Sequence, residues 1–156
     1  MAKSLSNTKK GFTIIEVLIV LAIAGLILLI VFLAVPALQR NSRNTQRTED
    51  ASRILGAAQE VINNNNGQTT AVTAANVTAA AGNLAFYTGS YLTVTAGPAV
   101  VTNSTTKDTM VLYKAAKCSS MTNGMGAVSD GPTSRKMALT FSVETGNGTA
   151  LRCQES

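Results

Sequence analysis

The stretch VLIVLAIAGLILLIVFLAV, residues 17–35, runs for 19 residues without a charged side chain. At about 1.5 Å per residue, a helix of that length matches the roughly 30 Å hydrocarbon core of a bilayer. It reads as a transmembrane helix. The alternative is a cleaved secretory signal, whose apolar region is shorter, roughly 7 to 15 residues, and ends in small residues at a cleavage site. Here the run passes through Pro36 into a polar, helix-forming stretch with no Ala-x-Ala exit, which favours the membrane span.

The helix is expected to begin at Phe12, with Gly11 breaking what precedes it and Thr13 as a candidate cap. Pro36 has no N–H to donate to the carbonyl of Phe32 and crowds that turn, so a kink or loosening is expected there. Gly25 is a second weak point. Beyond Leu38 the composition changes without a helix stop. Ala51, Ile54, Leu55, Ala58, Val61 and Ile62 recur at helical spacing and predict an apolar stripe, while Arg40, Arg43 and Arg47 are read as a polar side. Asn63–Asn66 and Gly67, all tolerant of left-handed backbone angles, are the expected end. One helix over 12–63 would span roughly 78 Å at ~1.5 Å per residue. Its first half suits lipid and its second half suits a protein core.

Residues 64–156 have strand chemistry. Tyr91–Thr95 and Thr109–Ala116 are strand candidates, and Lys136–Glu144 with Thr149–Cys153 flank a Thr-Gly-Asn-Gly turn as a hairpin. Met137, Leu139, Phe141 and Val143 alternate with polar residues, as in a sheet with one buried face. The helical stripe from Ala51 to Ile62 is the available cover. The fold class is therefore α+β: a long N-terminal helix, transmembrane in its first half and amphipathic in its second, packed on a small antiparallel β-sheet head. The parts are a leader at 1–11, the helix at 12–63 with its span at 17–35, and the head at 64–156.

Cys118 and Cys153 are the only cysteines, and both follow the apolar run. An even pair placed outside the cytoplasm reads as a disulfide, with two unrelated buried thiols as the alternative. Closing that loop would stabilise the head by roughly 4 kcal/mol in the chain-entropy model. Without a histidine in the chain, two isolated cysteines make no metal site.

The net charge of +5 is partly a property of the leader, because Lys3, Lys9 and Lys10 precede Gly11. Without them, 10 basic residues face 8 acidic ones, and bulk charge no longer argues for nucleic acid or anionic lipid. By charge count alone the three leader lysines tie with Arg40, Arg43 and Arg47 across the span, so charge does not set the topology.

Glu16 is the residue least at home in this pattern. A carboxylate is costly inside a membrane helix, less so near the interface, and such residues are functional candidates. Snorkelling to the interface would account for it alone. Its neighbours add more. Lys9-Lys10-Gly11 followed by Phe12-Thr13-Ile14-Ile15-Glu16 and an aliphatic run resembles the type IV prepilin signature.

The resemblance covers Lys9 to about Leu38 and implies a series of expectations. A membrane prepilin peptidase would cut between Gly11 and Phe12 and methylate the new amine of Phe12. Glu16 would pair with that amine, of the same or a neighbouring subunit, and so favour assembly. Gly25 and Pro36 resemble the helix-breaking pair that brackets the stretch melted in some pilus filaments, although Pro36 lies three residues beyond the usual place. Cys118 and Cys153 resemble the disulfide-bounded region of many pilins. The N-terminus would be cytoplasmic, the span held in the inner membrane before assembly and the fibre extracellular after it. The partners would be other copies of the chain in a helical homopolymer, the peptidase, the inner-membrane assembly platform, and DNA or surface ligands of the head. In the fibre, Arg40, Arg43 and Arg47 would meet Glu49 and Asp50 of other subunits.

No catalytic constellation or nucleotide fingerprint is present, so the reading is a non-enzymatic structural subunit without cofactor or metal: a type IV pilin serving adhesion, motility or DNA uptake. A pseudopilin of a type II secretion or competence system is the second reading. A signal-anchored binding protein is a third, of a different class. Three N-glycosylation patterns, at Asn76, Asn103 and Asn147, are expected from composition alone. Asp130 reads as a turn residue rather than a calcium ligand. Lys107, Lys114, Lys117, Arg135, Lys136 and Arg152 outnumber the head's acids but read as a solvated face.

Overall fold

The structure is a computed structural model and describes residues 11–89, 91–96, 108–121, 124–131 and 134–156. Leader residues 1–10, the Asn103 pattern and Lys107 lie outside these. The chain divides into two compact units, Met1–Leu38 and Gln39–Ser156. Helix α1, Ile14–Asn64, runs through the first and into the second.

In the first unit every residue from Gly11 to Leu38 is exposed. Its many Ile and Val residues are only fair helix formers in water, but in lipid a helix satisfies every backbone group internally. The chain remains α-helical through Gly25 and Pro36, and Pro36 lies inside α1. The expected weak points are thus intact helix in this structure.

In the second unit α1 turns its stripe of Ala51, Ile54, Leu55, Ala58, Val61 and Ile62 into the core, as its spacing predicts. It ends in the Asn run: the Gly67 N–H donates to the Ile62 carbonyl at 2.8 Å, and Asn66 and Gly67 take φ of 55° and 79°. Those left-handed angles are why Asn and Gly suit this position. A short helix α2, Ala74–Ala81, follows, with the Thr73 hydroxyl accepting from the Asn76 N–H and Val77 buried beneath it.

Six strands form one sheet: β1 Leu92–Ala96, β2 Met110–Lys114, β3 Ala116–Met121, β4 Gly124–Ser129, β5 Met137–Thr145 and β6 Gly148–Glu155. The spatial order is β1-β2-β5-β6-β4-β3. The β5–β6 hairpin pairs Thr145 with Gly148 and Ala138 with Glu155, close to the expected bounds. The sheet is antiparallel-rich rather than wholly antiparallel. β1 runs parallel to β2, and β4 parallel to β6. The segment between Ala96 and Met110 is long enough for the crossover that a parallel neighbour requires.

Met137, Leu139, Phe141 and Val143 of β5, with Met110 and Leu112 of β2, face α1 across the main core, which Val72, Tyr87, Tyr91 and Leu92 complete. The other face of β5 is buried as well, contrary to the single buried face expected from its alternation, and Thr140 and Ser142 are covered there. β3 and β4 supply a cover that the sequence pattern does not announce, and a second, smaller cluster of Tyr113, Ala116, Ala127 and Ala138 lies on this face. Beside it Cys118 of β3 and Cys153 of β6 form a disulfide, with an S–S distance of 1.99 Å. The strand candidate Thr109–Ala116 is in fact two strands separated at Ala115, whose φ of 53° turns the chain into β3.

Candidate functional site

The site that the sequence singles out lies at the start of α1. Gly11, Phe12 and Thr13 precede the helix, and Phe12 is 89% exposed. Glu16 sits in the first turn. Its Oε2 accepts from the Thr13 N–H at 2.9 Å and from the Thr13 hydroxyl at 2.7 Å, and the Glu16 N–H in turn reaches Thr13 Oγ1 at 3.4 Å. This is a capping box, T-x-x-E, in which N-cap and N3 side chains satisfy each other's orphan amides. The sequence expectation of Thr13 as a cap holds, and the reciprocal role of Glu16 is written in the pattern "TIIE". The helix N-terminus favours a carboxylate here as well. Oε1 accepts no hydrogen bond among the described residues. Among the described residues the Glu16 carboxylate is therefore half satisfied.

From Phe12 onward the aliphatic side chains form an unbroken exposed surface, including Leu21, Leu29, Phe32, Leu33 and Leu38, each at least 60% exposed. Apolar patches of this extent mark a surface covered by lipid or by other protein. The helix is long and apolar enough to cross a membrane by length and composition.

A second group of charges lies where α1 meets the sheet, and it corrects the expected polar side. Arg47 is 2% exposed, not solvated. Its Nη2 lies 3.2 Å from Glu144 Oε1 and 3.8 Å from Asp108 Oδ1, and its Cζ stands 4.2 Å from the centre of the Phe86 ring. Arg43 donates to both oxygens of the same Glu144 carboxylate, its Nε at 3.0 and 3.2 Å. Between them Asn44 pairs with the Glu144 backbone in both directions, each bond at 2.8 Å. Asp50 is buried too, accepting the N–H groups of Ala85, Phe86 and Tyr87 at 3.0, 2.7 and 3.3 Å. Arg47 and Asp50 are thereby committed within one subunit and do not offer themselves to others. The Asp50 carboxylate is satisfied by its ring of amides, whereas Arg47 keeps Nε and Nη1 buried without a hydrogen-bond partner among the described residues and is held by the Glu144 charge and the Phe86 ring. The partners lie 35 to 101 residues apart in sequence, which is why local pattern does not reveal them. Burial also pushes the Tyr87 phenol up to about 12, opposed by the nearby Arg47 charge.

The remaining candidates are quieter. Asp130 accepts from the Ser134 hydroxyl at 2.9 Å and pairs with Lys117 at 3.3 Å, contacts that hold its carboxyl below the usual range. Among the described residues no cluster of three or more His, Cys, Asp or Glu could hold a metal. Arg135, Lys136 and Arg152 are exposed. Asn147 lies exposed in the β5–β6 turn, whereas the Asn76 amide donates to the Ala71 carbonyl.

Residues 6–32 match the family described as the prokaryotic N-terminal methylation motif. The matched stretch contains Gly11, Phe12, Thr13 and Glu16 and most of the apolar run. The chain thus carries an N-terminal methylation motif, a class III signal peptide consistent with a prepilin, and its long apolar helix and antiparallel-rich sheet have a pilin-like layout. No curated protein and no solved structure matches the chain.

Proposed function

We propose that this chain is the precursor of a type IV pilin, a structural subunit that works by polymerising and catalyses nothing. Prepilin peptidase cuts between Gly11 and Phe12 and methylates the Phe12 amine. The exposed aliphatic face of α1 holds the subunit in the inner membrane and then, on extraction, packs against the same face of other copies in a surface fibre. Glu16 guides that step. Thr13 occupies one oxygen of its carboxylate in the first turn, and the other stays available to the new amine, so assembly gains an ion pair where lipid would have left a charge only partly satisfied. The observation that carries the reading is the methylation motif lying across the cut site and the start of an exposed apolar helix.

Mass spectrometry of sheared extracellular fibres tests it. The expected result is a chain beginning at N-methylated Phe12. Recovery of the same processed chain only from the cell envelope, never from surface fibres, would assign it to the pseudopilins instead. Recovery only as the uncut chain from Met1 would remove both. A Glu16→Ala variant should still be cut but should yield few fibres.

A further inference from the structure

Two separate apolar clusters hold the head together, and the β3–β4 hairpin belongs to only one of them. Among the described side chains the main core has no buried member from β3 or β4. Among the described side chains the smaller cluster receives from the hairpin the buried Ala116 and Ala127 and the partly buried Cys118, against Tyr113 and Ala138. Alanine side chains remove little apolar area from water, so they anchor weakly. Among the described residues the hairpin's hydrogen bonds to the rest of the sheet are also sparse. The Ala116 N–H reaches the Lys136 carbonyl at 3.2 Å, and the Cys118 N–H reaches the Glu155 carboxylate at 2.9 Å. β4 meets β6 at the single register pair Gly124–Leu151, whereas β5 pairs with β6 over eight positions. The six pairs between β3 and β4, and the Lys117–Asp130 ion pair, are internal to the hairpin and would survive its departure. The one strong tie is covalent: Cys118 to Cys153, β3 to β6.

We infer that this disulfide is a local latch. It holds the β3–β4 hairpin on the sheet, and its reduction releases the hairpin while α1 and β5 stay packed. The hairpin is an inserted segment between β2 and β5, so it opens while remaining attached to the chain at both ends. Reduction by a dithiol transfers two electrons and two protons to the Cys118–Cys153 bond; two thiols form, and the dithiol closes into its own disulfide. The released state uncovers Tyr113, Ala138 and the outer edge of β6, an unpaired edge able to take up another strand. The latch adds to the expected role of the disulfide, a loop closure stabilising the whole head, a local one, because both cysteines pack beside the smaller cluster rather than the main core. Regions held by few buried contacts open independently of the global unfolding reaction.

Hydrogen exchange on the full-length protein in detergent micelles, with and without dithiothreitol, separates the two roles. Alkylation followed by mass measurement confirms that both thiols have formed. Amides of residues 116–120 and 126–129 are expected to exchange about tenfold faster or more, while those of 54–62 and 137–143 stay within about twofold. The double variant Cys118→Ser/Cys153→Ser should reproduce the pattern. Equal acceleration of all these segments, unchanged exchange throughout, or failure of the double variant to fold would each overturn the latch.

Discussion

Removing the Glu144 carboxylate, as in Glu144→Ala, tests whether the junction of α1 and the sheet is held by this charge cluster. The side chain is 18% exposed and answers two guanidiniums at once, of which Arg47 is 2% exposed. With Glu144 gone, Arg47 keeps only Asp108, at 3.8 Å and itself 78% exposed, and the face of Phe86. Breaking a buried pair by deleting one partner costs about 3 kcal/mol or more, because the surviving charge stays out of water without its counter-ion. For a head of this size that corresponds to a fall in Tm of roughly 12 °C. Arg43, whose side chain is 42% exposed, returns to water when unpaired, so Arg43→Ala should lower Tm much less. The double variant Arg47→Met/Glu144→Leu replaces the pair by packed apolar groups and should recover most of the loss. Because the chain has no Trp, near-UV circular dichroism of the tyrosines reports head packing without interference from the apolar helix. A Glu144→Ala protein that melts within about 3 °C of the parent, or no lower than Arg43→Ala, would show that the cluster contributes nothing net.

Asp50→Ala should leave the amides of residues 85–87 without their acceptor, that of Tyr87 in a buried position, at a cost of about 2 kcal/mol, and hydrogen exchange should rise first in that segment. Tyr87 gives an alkaline signature. Its folded pKa of about 12 exceeds the ordinary value near 10, so the folded form retains its proton longer. Stability is accordingly full below about pH 10 and declines by roughly 2–3 kcal/mol as pH rises towards about 12. Ultraviolet titration should find one tyrosine ionising only with unfolding, and Tyr87→Phe should flatten the decline. Thr13→Val removes the hydroxyl that holds Glu16 Oε2 but keeps the shape; cleavage should proceed and fibre yield should fall, less than for Glu16→Ala. Equal yields from Thr13→Val and the parent would confine the capping box to helix formation.

Much of this architecture is legible in the sequence because it is periodic. The lipid-length run and the stripe from Ala51 to Ile62 repeat at the spacing their element demands and are found where the spacing puts them. The alternation along β5 identifies the strand but not its second buried face, where Ala138, Thr140 and Ser142 also lie out of water. The Thr-Gly-Asn-Gly turn and the Asn run ending α1 were equally open to local reading. What escaped is non-local or weakly patterned. β3 and β4, AKCSSM and GMGAVS, are poor in the branched and aromatic residues that announce strands, and they fold by pairing with each other and by a covalent tie. Arg47 and Asp50 look like ordinary helix-surface charges until Glu144 and the amides of residues 85–87 arrive from distant segments. In the candidate site, Gly11, Phe12 and Glu16 stand out by type and place, and Thr13 by its capping position, whereas the reciprocal bond between Thr13 and Glu16 needs the folded first turn to form.

The grip of Glu144 on α1 has a mechanical consequence. Arg43, Asn44 and Arg47 occupy two successive turns, and all three close on one residue at the end of β5, two through its carboxylate and one through its backbone. A strand end fastened at one turn could swivel; fastened at two, it can neither slide along the helix nor roll about it. The head is keyed to this part of the helix like a gear to its shaft, so whatever orients residues 43–47 also decides which face of the head looks outward.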